Sequence, residues 1–286
     1  MTTWFEGSGG LRLAADAHGD PVAPPVLLLH GGGQTRQAWG ATTEAIAARG
    51  WHAIALDLRG HGESDWADDG DYQLDTFAAD LRAVVDALAR PPVIVGASLG
   101  GMSALRALTA EPPVPAAALV LVDVAHRFNP TGAQRVIDFM LENREGFADP
   151  TEASAAVARY LPHRPPPTDL DGIAKNLRLR DGRWHWHWDP RLLDGRGSLA
   201  SARVPGEAAG QQYVAIERLA VPTLLVRGGM SDVISSEMAQ EFARLVPSTQ
   251  VVEVDRAAHM VAGDRNDRFS EAVLAFLETL PVAPRA

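Results

Sequence analysis

The chain has 286 residues, of which 46% are hydrophobic, so it can form one large α/β domain or two small ones. Its formal net charge of −10 argues against binding to nucleic acids and anionic membranes, because such binding relies on lysine and arginine. The absence of cysteine excludes disulfides, thiolate catalysis and cysteine-ligated metals. The sequence has no apolar run long enough to span a bilayer and no secretory-signal pattern in residues 1–20, and we expect a cytoplasmic protein.

The first part of the chain alternates between predicted strands and helices. Two short strands at 4–6 and 11–16 flank a glycine-rich turn, which is typical of a hairpin at a sheet edge. The alternation then continues, with strands at 26–29, 52–58, 92–96 and 117–124 and helices at 38–49, 74–89 and 99–111. This alternation predicts a mostly parallel sheet covered by helices on both faces.

The alternation lapses between residues 125 and 220, where helical patches surround a proline run. It then resumes with strands at 221–228 and 250–254, a helix at 236–245 and a last amphipathic helix. We therefore predict one α/β core formed by residues 1–124 and 221–286, with residues 125–220 inserted as a cap.

A sharp turn is predicted at Ser98, where an apolar strand passes directly into a helix through Gly-Ala-Ser-Leu-Gly. Gly96 and Gly100 leave room for the bend, and the helix N-terminus directs backbone N–H groups toward whatever Ser98 attacks. A tight β–α turn with a solvent-facing serine is the alternative interpretation. The stretch resembles the nucleophile turn of the α/β-hydrolase superfamily.

A nucleophilic serine needs a base within hydrogen-bond reach and a third group that orients the base. His259 follows the strand at 250–254 by a short loop, where the superfamily places its catalytic histidine; a histidine that caps the following helix is the alternative. The family pattern favours Asp232, just after the strand at 223–226, as the acid. Asp123, which ends an earlier strand on the same edge, is the rival, unless it is a structural carboxylate.

The run His30-Gly31-Gly32-Gly33 resembles the His-Gly oxyanion segment of the superfamily. Two backbone N–H donors stabilise the oxyanion in such enzymes, and we assign them to Gly32 and Leu99, with Gly33 as the neighbouring possibility. His30 is expected to brace the loop. The segment 57–64 resembles another superfamily loop and is predicted to be scaffolding, with substrate contact by Arg59 or His61 as the alternative.

The segment 184–188 alternates tryptophan with histidine, so a strand would place the three tryptophans on one face and His185 and His187 on the other. These histidines, with His163 or Asp189, could form a metal site, but the spaced ligand set is lacking and we predict no metal. The tryptophans are expected to form the core of the cap or an apolar ceiling over Ser98. The predicted substrate contacts are Gly33, Trp39, Phe139, Met140, Trp184 and Trp186.

The resemblance covers nearly the whole chain outside the cap, and its motifs occur in the family order. It implies an α/β-hydrolase fold with a mostly parallel eight-stranded sheet and an inserted helical cap. It also implies a serine hydrolase without a cofactor that cleaves a small to medium hydrophobic carboxylic ester or lactone through an acyl-enzyme. The partner is then the small-molecule substrate, with no nucleic acid and no membrane, and the oligomeric state is not indicated.

Other functions keep the same three catalytic residue types. Carbon–carbon bond hydrolases and cofactor-free perhydrolases of this superfamily share the serine, histidine and acid, and a non-catalytic ligand receptor can retain them too. Epoxide hydrolases and haloalkane dehalogenases use an aspartate nucleophile, so Ser98 argues against both.

Overall fold

The structure is a computed structural model that describes residues 2–163, 170–194, 215–264 and 266–282. Its strands are β1 (Thr2–Glu6), β2 (Arg12–His18), β3 (Pro25–Leu29), β4 (His52–Leu56), β5 (Val93–Ala97), β6 (Ala118–Val122), β7 (Leu177–Arg180), β8 (Arg183–Trp186), β9 (Thr223–Gly228) and β10 (Thr249–Val254). Its α-helices are α1 (Gly40–Ala47), α2 (Leu74–Asp86), α3 (Leu99–Leu108), α4 (Pro130–Glu142), α5 (Pro150–Tyr160), α6 (Asp171–Ala174), α7 (Ser236–Leu245), α8 (Val261–Asp264) and α9 (Asn266–Glu278). Within these described ranges, no helix has the length and apolar character needed to cross a membrane.

Eight of these strands form one sheet in the order β1-β2-β4-β3-β5-β6-β9-β10. The strands β1 and β2 form the antiparallel hairpin predicted at one edge, and β2 also pairs antiparallel with β4. The six strands β4, β3, β5, β6, β9 and β10 pair in parallel with one another. Every residue of β3, β6 and β9 is buried, as expected for strands covered on both faces. The predicted α/β-hydrolase architecture with a mostly parallel eight-stranded sheet is therefore confirmed.

Alternate residues of the central strands build two separate core layers. Leu27 and Leu29 face the layer that contains α2 and α3, whereas Val26 and Leu28 face the layer that contains α1 and α9. The second layer is completed by large side chains of the flanking segments, namely Trp39, Ile46, Phe269, Val273 and Phe276. The helices thus fix the sheet from both sides and leave its carboxyl edge for the loops.

The inserted region between β6 and β9 contains α4, α5, α6 and a β-hairpin formed by β7 and β8. The resemblance implied a helical cap, and the structure corrects this by adding the β7–β8 hairpin to its helices. Trp184 and Trp186 pack in a small core with Phe147 and Leu177, which shows why this segment prefers a pleated strand. Trp188 lies beyond β8 and packs instead in the main core, so the three tryptophans do not share one strand face.

Residues 187–189 of the inserted region, here called the return segment, are bonded to the loop at 57–64. The amide of Gly62 donates to the carbonyl of His187 at 2.7 Å, and the amide of Asp189 donates to the carbonyl of Gly60 at 2.7 Å. Asp189 also accepts a hydrogen bond of 2.5 Å from the Tyr72 hydroxyl. These contacts agree with the scaffolding role predicted for the 57–64 loop.

Candidate active site

Ser98 lies at the turn between β5 and α3 with φ 44° and ψ −112°, a backbone conformation that a non-glycine residue rarely adopts. A Cβ atom at Gly96 would lie 2.6 Å from the backbone nitrogen of Gly101, and one at Gly100 would lie 2.4 Å from the carbonyl oxygen of Leu29. Only glycine therefore permits the helix to pack this closely against the sheet. The turn holds the serine at the carboxyl edge of the sheet.

Asp123 and His259 form a hydrogen-bonded pair at the same edge. The Nδ1 atom of His259 lies 2.8 Å from Oδ2 of Asp123. Asp123 directly follows β6 with φ 52° and is fully buried, while His259 lies between β10 and α8 with a side chain that is 11% exposed. Because the carboxyl ends of parallel strands meet at one edge, these two residues meet although 136 positions separate them.

The Asp123 carboxylate has donors on both of its oxygens. Oδ1 accepts from the amide of Gly228 at 2.9 Å, and Oδ2 accepts from the Ser231 hydroxyl at 2.5 Å as well as from His259. Ser231 is itself held because its oxygen accepts from the Val233 amide at 3.1 Å. A buried carboxylate requires such partners, and here they fix its orientation toward the imidazole.

The structure does not form the predicted pair of Asp232 with His259. Asp232 is 38% exposed, and its Oδ2 lies 2.7 Å from the guanidinium of Arg135 on α4. The turn after β9 brings Ser231, not Asp232, against the buried carboxylate. Asp123, the rival in the sequence, therefore takes the position expected of Asp232, and this corrects the preference that the family pattern had suggested.

The glycine loop after β3 uses two of its three amides within the protein. Gly31 donates to Oε1 of Gln34 at 2.9 Å, and Gly33 donates to Nε2 of His61 at 3.1 Å. Among the described residues, no acceptor is bonded to the amide of Gly32 or to that of Leu99, the first residue of α3. The amides of Gly32 and Leu99, the two predicted oxyanion donors, are therefore without an acceptor among the described residues, whereas the amide of the alternative donor Gly33 is bonded to His61.

Two buried histidines brace this loop. Nε2 of His30 accepts from the Leu58 amide at 3.1 Å, just as Nε2 of His61 accepts from Gly33. The proton of each ring must then lie on Nδ1, which donates to the carbonyl of Gly31 in His30 and to that of Arg59 in His61. Burial lowers the pKa of His30 to about 4, and burial together with the neighbouring His30 lowers the pKa of His61 to about 3.

The neutral state of His30 and His61 makes folding stability depend on pH. In the unfolded chain each ring takes up a proton near its ordinary pKa of 6.5, so the unfolded state binds more protons below that pH. The two neutral rings therefore contribute their full share to the free energy of unfolding above pH 6.5. As the pH falls from about 6 to about 4, the free energy of unfolding is expected to drop by up to about 2.7 kcal/mol per pH unit. Urea titrations between about pH 4 and pH 7 measure this slope.

Removal of one of the two rings tests this prediction. Replacement His61→Asn should make the slope shallower by about 1.4 kcal/mol per pH unit, the value for one proton. Equal slopes in the parent protein and His61→Asn would contradict the assignment of a neutral His61.

The carboxyl edge opens into a cavity of about 590 Å³, here called the catalytic cavity. Ser98, His259 and the glycine loop line it from the core, and the inserted region covers it. Most of its remaining surface is apolar. Its other lining residues include Trp39, Val122, Val136, Phe139, Met140, Val157, Tyr160, Leu161, Ile173, Lys175, Asn176, Trp186, Trp188 and Met260.

Five of the six predicted substrate contacts, Gly33, Trp39, Phe139, Met140 and Trp186, line this cavity. Trp184 does not, because it packs in the small core beside Phe147. Sequence reasoning missed Val136, Tyr160, Lys175 and Asn176 among the lining residues. The helical spacing of Val136, Phe139 and Met140 along α4 was the available signal for the first of these. Arg59 and His61, the alternative substrate contacts, are buried away from the cavity.

Arg59 is instead paired with the buried Asp80, from which its Nε lies at 2.6 Å, so it ties the 57–64 loop to α2. In the part of the chain that the structure describes, no group of three metal-ligating side chains is found. Of the residues in the metal hypothesis, Asp189 is bonded to Tyr72 and Arg191.

Comparison with known proteins identifies the family. The model of the alpha/beta hydrolase family matches residues 26–272. Esterase Rv0045c of Mycobacterium tuberculosis is 32% identical over 275 residues, which cover 90% of this chain and 84% of that protein. The 3-hydroxybutyrate-oligomer hydrolase of Cupriavidus necator is 29% identical over 259 residues, which cover 87% of each chain.

A crystal structure of an alpha/beta hydrolase from Novosphingobium aromaticivorans has a TM-score of 0.79 and 28% identity to this chain, and the match covers 97% of this chain and 98% of that one. These relatives agree with the resemblance that the Ser98 turn carried. The chain therefore belongs to the alpha/beta hydrolase family and is a hydrolase of that family.

Proposed function

We propose that this hydrolase cleaves carboxylic esters by a serine mechanism, with Ser98 as nucleophile, His259 as base and Asp123 as the orienting acid. The observation that carries the proposal is the hydrogen-bonded Asp123–His259 pair, because its His259 lines the same cavity as Ser98 of the strained turn. This replaces Asp232 by Asp123 in the set of catalytic residues.

In the acylation step, His259 takes the proton of the Ser98 hydroxyl as its oxygen attacks the ester carbonyl carbon. The Nδ1–H of His259 donates to Asp123, which leaves Nε2 free to accept that proton and stabilises the imidazolium that results. The imidazolium then protonates the leaving alkoxide, and the ester C–O bond breaks. The alcohol departs and leaves the acyl group on Ser98.

In the deacylation step, a water molecule attacks the acyl carbon while His259 takes one of its protons. The C–O bond to Ser98 then breaks, and His259 returns the proton to the serine oxygen, so the carboxylic acid is released and the enzyme is restored. Besides the ester and water, every group in these two steps belongs to the chain, and the proposed chemistry needs no cofactor.

Both tetrahedral intermediates carry negative charge on the former carbonyl oxygen. We assign its stabilisation to the amides of Gly32 and Leu99, which have no acceptor among the described residues. A donor of this kind is worth about 3 kcal/mol in the transition state. His30 and His61 support this assignment, because they hold the loop around Gly32 with uncharged rings.

The size and lining of the catalytic cavity favour a small to medium substrate with a largely apolar body. Its volume of about 590 Å³ falls within the range of about 300–1,000 Å³ usual for small-molecule sites. The printed names of two relatives, an esterase and a hydrolase of 3-hydroxybutyrate oligomers, support ester cleavage. Lactones present the same carbonyl chemistry and belong to the proposed substrate class.

Acid release in a pH-stat tests this function. Short, long and aryl esters and lactones are each supplied to the enzyme, and we expect acid from the members that fit the cavity. The control is enzyme blocked with an alkyl phosphonate ester, which should be inactive and carry its adduct on the peptide that contains Ser98. Absence of acid release across the panel would contradict the proposal and favour carbon–carbon cleavage, perhydrolysis or ligand reception.

A further inference from the structure

One lysine side chain lies among the lining residues of the catalytic cavity. Lys175 lines the cavity and is the only lysine in the whole sequence. Apart from the proposed base His259, it is the only basic side chain among the described lining residues, and none of those residues is Asp, Glu or Arg. An ammonium at the margin of an apolar cavity gives that margin a preference for negative charge.

The Lys175 side chain is not used to hold the structure together. In the described ranges it forms no ion pair or hydrogen bond through its ammonium, whereas many arginines of the chain are paired with carboxylates. It is exposed, so the ammonium can reach solvent or a ligand. The protein as a whole carries a net charge of −10, which repels anions, so a local cation favours the binding of an anion at this place.

The backbone beneath Lys175 is well fixed relative to the glycine loop. Its amide donates to the carbonyl of Asp171 at 3.2 Å, as the last link of α6. The next residue, Asn176, accepts from the Thr35 hydroxyl at 3.1 Å through its side chain and from the His187 amide at 2.9 Å through its carbonyl. Thr35 lies just after the glycine loop, so these bonds set the lysine at a defined place on the cavity margin.

We propose that Lys175 binds a carboxylate at the end of the substrate remote from the scissile bond. The preferred substrate then has an ester or lactone carbonyl at Ser98, an apolar middle along the tryptophan and phenylalanine lining, and a free carboxylate at the margin. Half-esters of dicarboxylic acids have this form. The inference rests on the proposed function, because it names the substrate class of that same site.

A matched pair of chromogenic esters tests the proposal. Mono-4-nitrophenyl adipate carries the terminal carboxylate, and its terminal amide is a neutral compound of nearly the same size. With Lys175→Gln, the KM for the carboxylate ester should rise about five- to tenfold with kcat unchanged. This loss of affinity lies between the strength of an exposed ion pair and that of a charge-assisted hydrogen bond. The KM for the amide should stay within about twofold, and Lys175→Arg should retain most of the preference.

The exposed Arg178 on β7 provides the matched control, because it carries a positive charge near Lys175 in the chain but does not line the cavity. Arg178→Gln should leave both KM values unchanged. The assignment to Lys175 would be overturned if the parent enzyme had equal KM values for the two esters. It would also be overturned if Lys175→Gln and Arg178→Gln raised the KM for the carboxylate ester equally.

A binding measurement separates this inference from the catalytic proposal. Because Lys175 is the only lysine, an amine-specific acetylating reagent labels only this side chain and the chain's α-amino group. In the Ser98→Ala variant, the unhydrolysed adipate half-ester should slow acetylation of Lys175, and the amide should not. Protection of Lys175 without hydrolysis by the parent enzyme would contradict the ester mechanism but support the carboxylate site. Hydrolysis of both esters without protection of Lys175 would support the ester mechanism but contradict the carboxylate site.

Discussion

Replacement of Ser98 by alanine is expected to lower kcat/KM on the preferred ester by about 10⁴-fold or more. Alanine removes the hydroxyl oxygen that we propose as the nucleophile, and it leaves the amides of Gly32 and Leu99 and the cavity in place. Residual turnover would then come from binding and oxyanion stabilisation alone. Initial rates in the pH-stat, together with the loss of the burst of leaving group, measure the effect.

Ser103 supplies a matched control on the same helix. Its hydroxyl donates to the carbonyl of Leu99 at 2.7 Å and is buried, so it does not line the cavity. Ser103→Ala should keep kcat/KM within about threefold, with at most a small loss of stability. Full activity in Ser98→Ala on the best substrate would remove the serine mechanism altogether.

Replacement of Asp123 by asparagine is expected to lower kcat by about 10³- to 10⁴-fold. The carboxylate accepts hydrogen bonds on both oxygens, from Gly228 on one and from Ser231 and His259 on the other. An amide offers one acceptor and one donor, so one of these donors loses its acceptor and the imidazole is no longer held with its proton on Nδ1. Thermal unfolding should also show destabilisation of about 1–3 kcal/mol.

Asp232→Asn is the matched comparison for this substitution, because the two aspartates were the candidates in the sequence. Asp232 is partly exposed and paired with Arg135, and its loss should change kcat by less than about threefold. Both variants are assayed on the same ester at saturating concentration. A larger loss in Asp232→Asn than in Asp123→Asn would restore the original choice of acid and contradict the role given to the buried pair.

The fold could be predicted from the sequence because its strands show strong local patterns of apolar residues. The run from Val26 to Leu29 and the segment before Ser98 are apolar and rich in β-branched residues or leucine, a pattern typical of strands buried on both faces. The glycines around Ser98 then indicate the sharp turn. The same reasoning placed His259 on the correct sheet edge, since parallel strands expose all their carboxyl ends together.

The acid could not be chosen from the sequence for a physical reason. Asp123 and Asp232 both follow strands that end at the edge where His259 lies, and both precede His259 in the chain. The two aspartates differ in the direction of their side chains. The Asp123 side chain is held by the Ser231 hydroxyl, and the Asp232 side chain is held by Arg135. Such contacts join segments about a hundred residues apart, and no local pattern encodes them.

The hairpin in the inserted region was missed although it has a local signal. Asp181 and Gly182, with φ values of 49° and 77°, join β7 to β8, and an Asp-Gly pair between alternating strands is typical of a two-residue hairpin turn. The alternation of residues 184–188 was considered as a strand, but neither a hairpin nor the partner strand β7 was predicted. The alternation of leucine and arginine in β7 completes the pattern.

The main-chain bonds between 60–62 and 187–189 bear on how new specificities can arise in this fold. Helices α4 and α5 contribute side chains to the cavity, so substitutions there can reshape the ligand space one residue at a time. The return segment has no such freedom. It is bonded to the 57–64 loop, which contains His61. Because the His61 ring accepts from the Gly33 amide, altered pairing there would disturb the glycine loop as well. Diversification should therefore accumulate in the helices, and grafting of a foreign cap should succeed only when its last segment reproduces the pairing with Gly60 and Gly62.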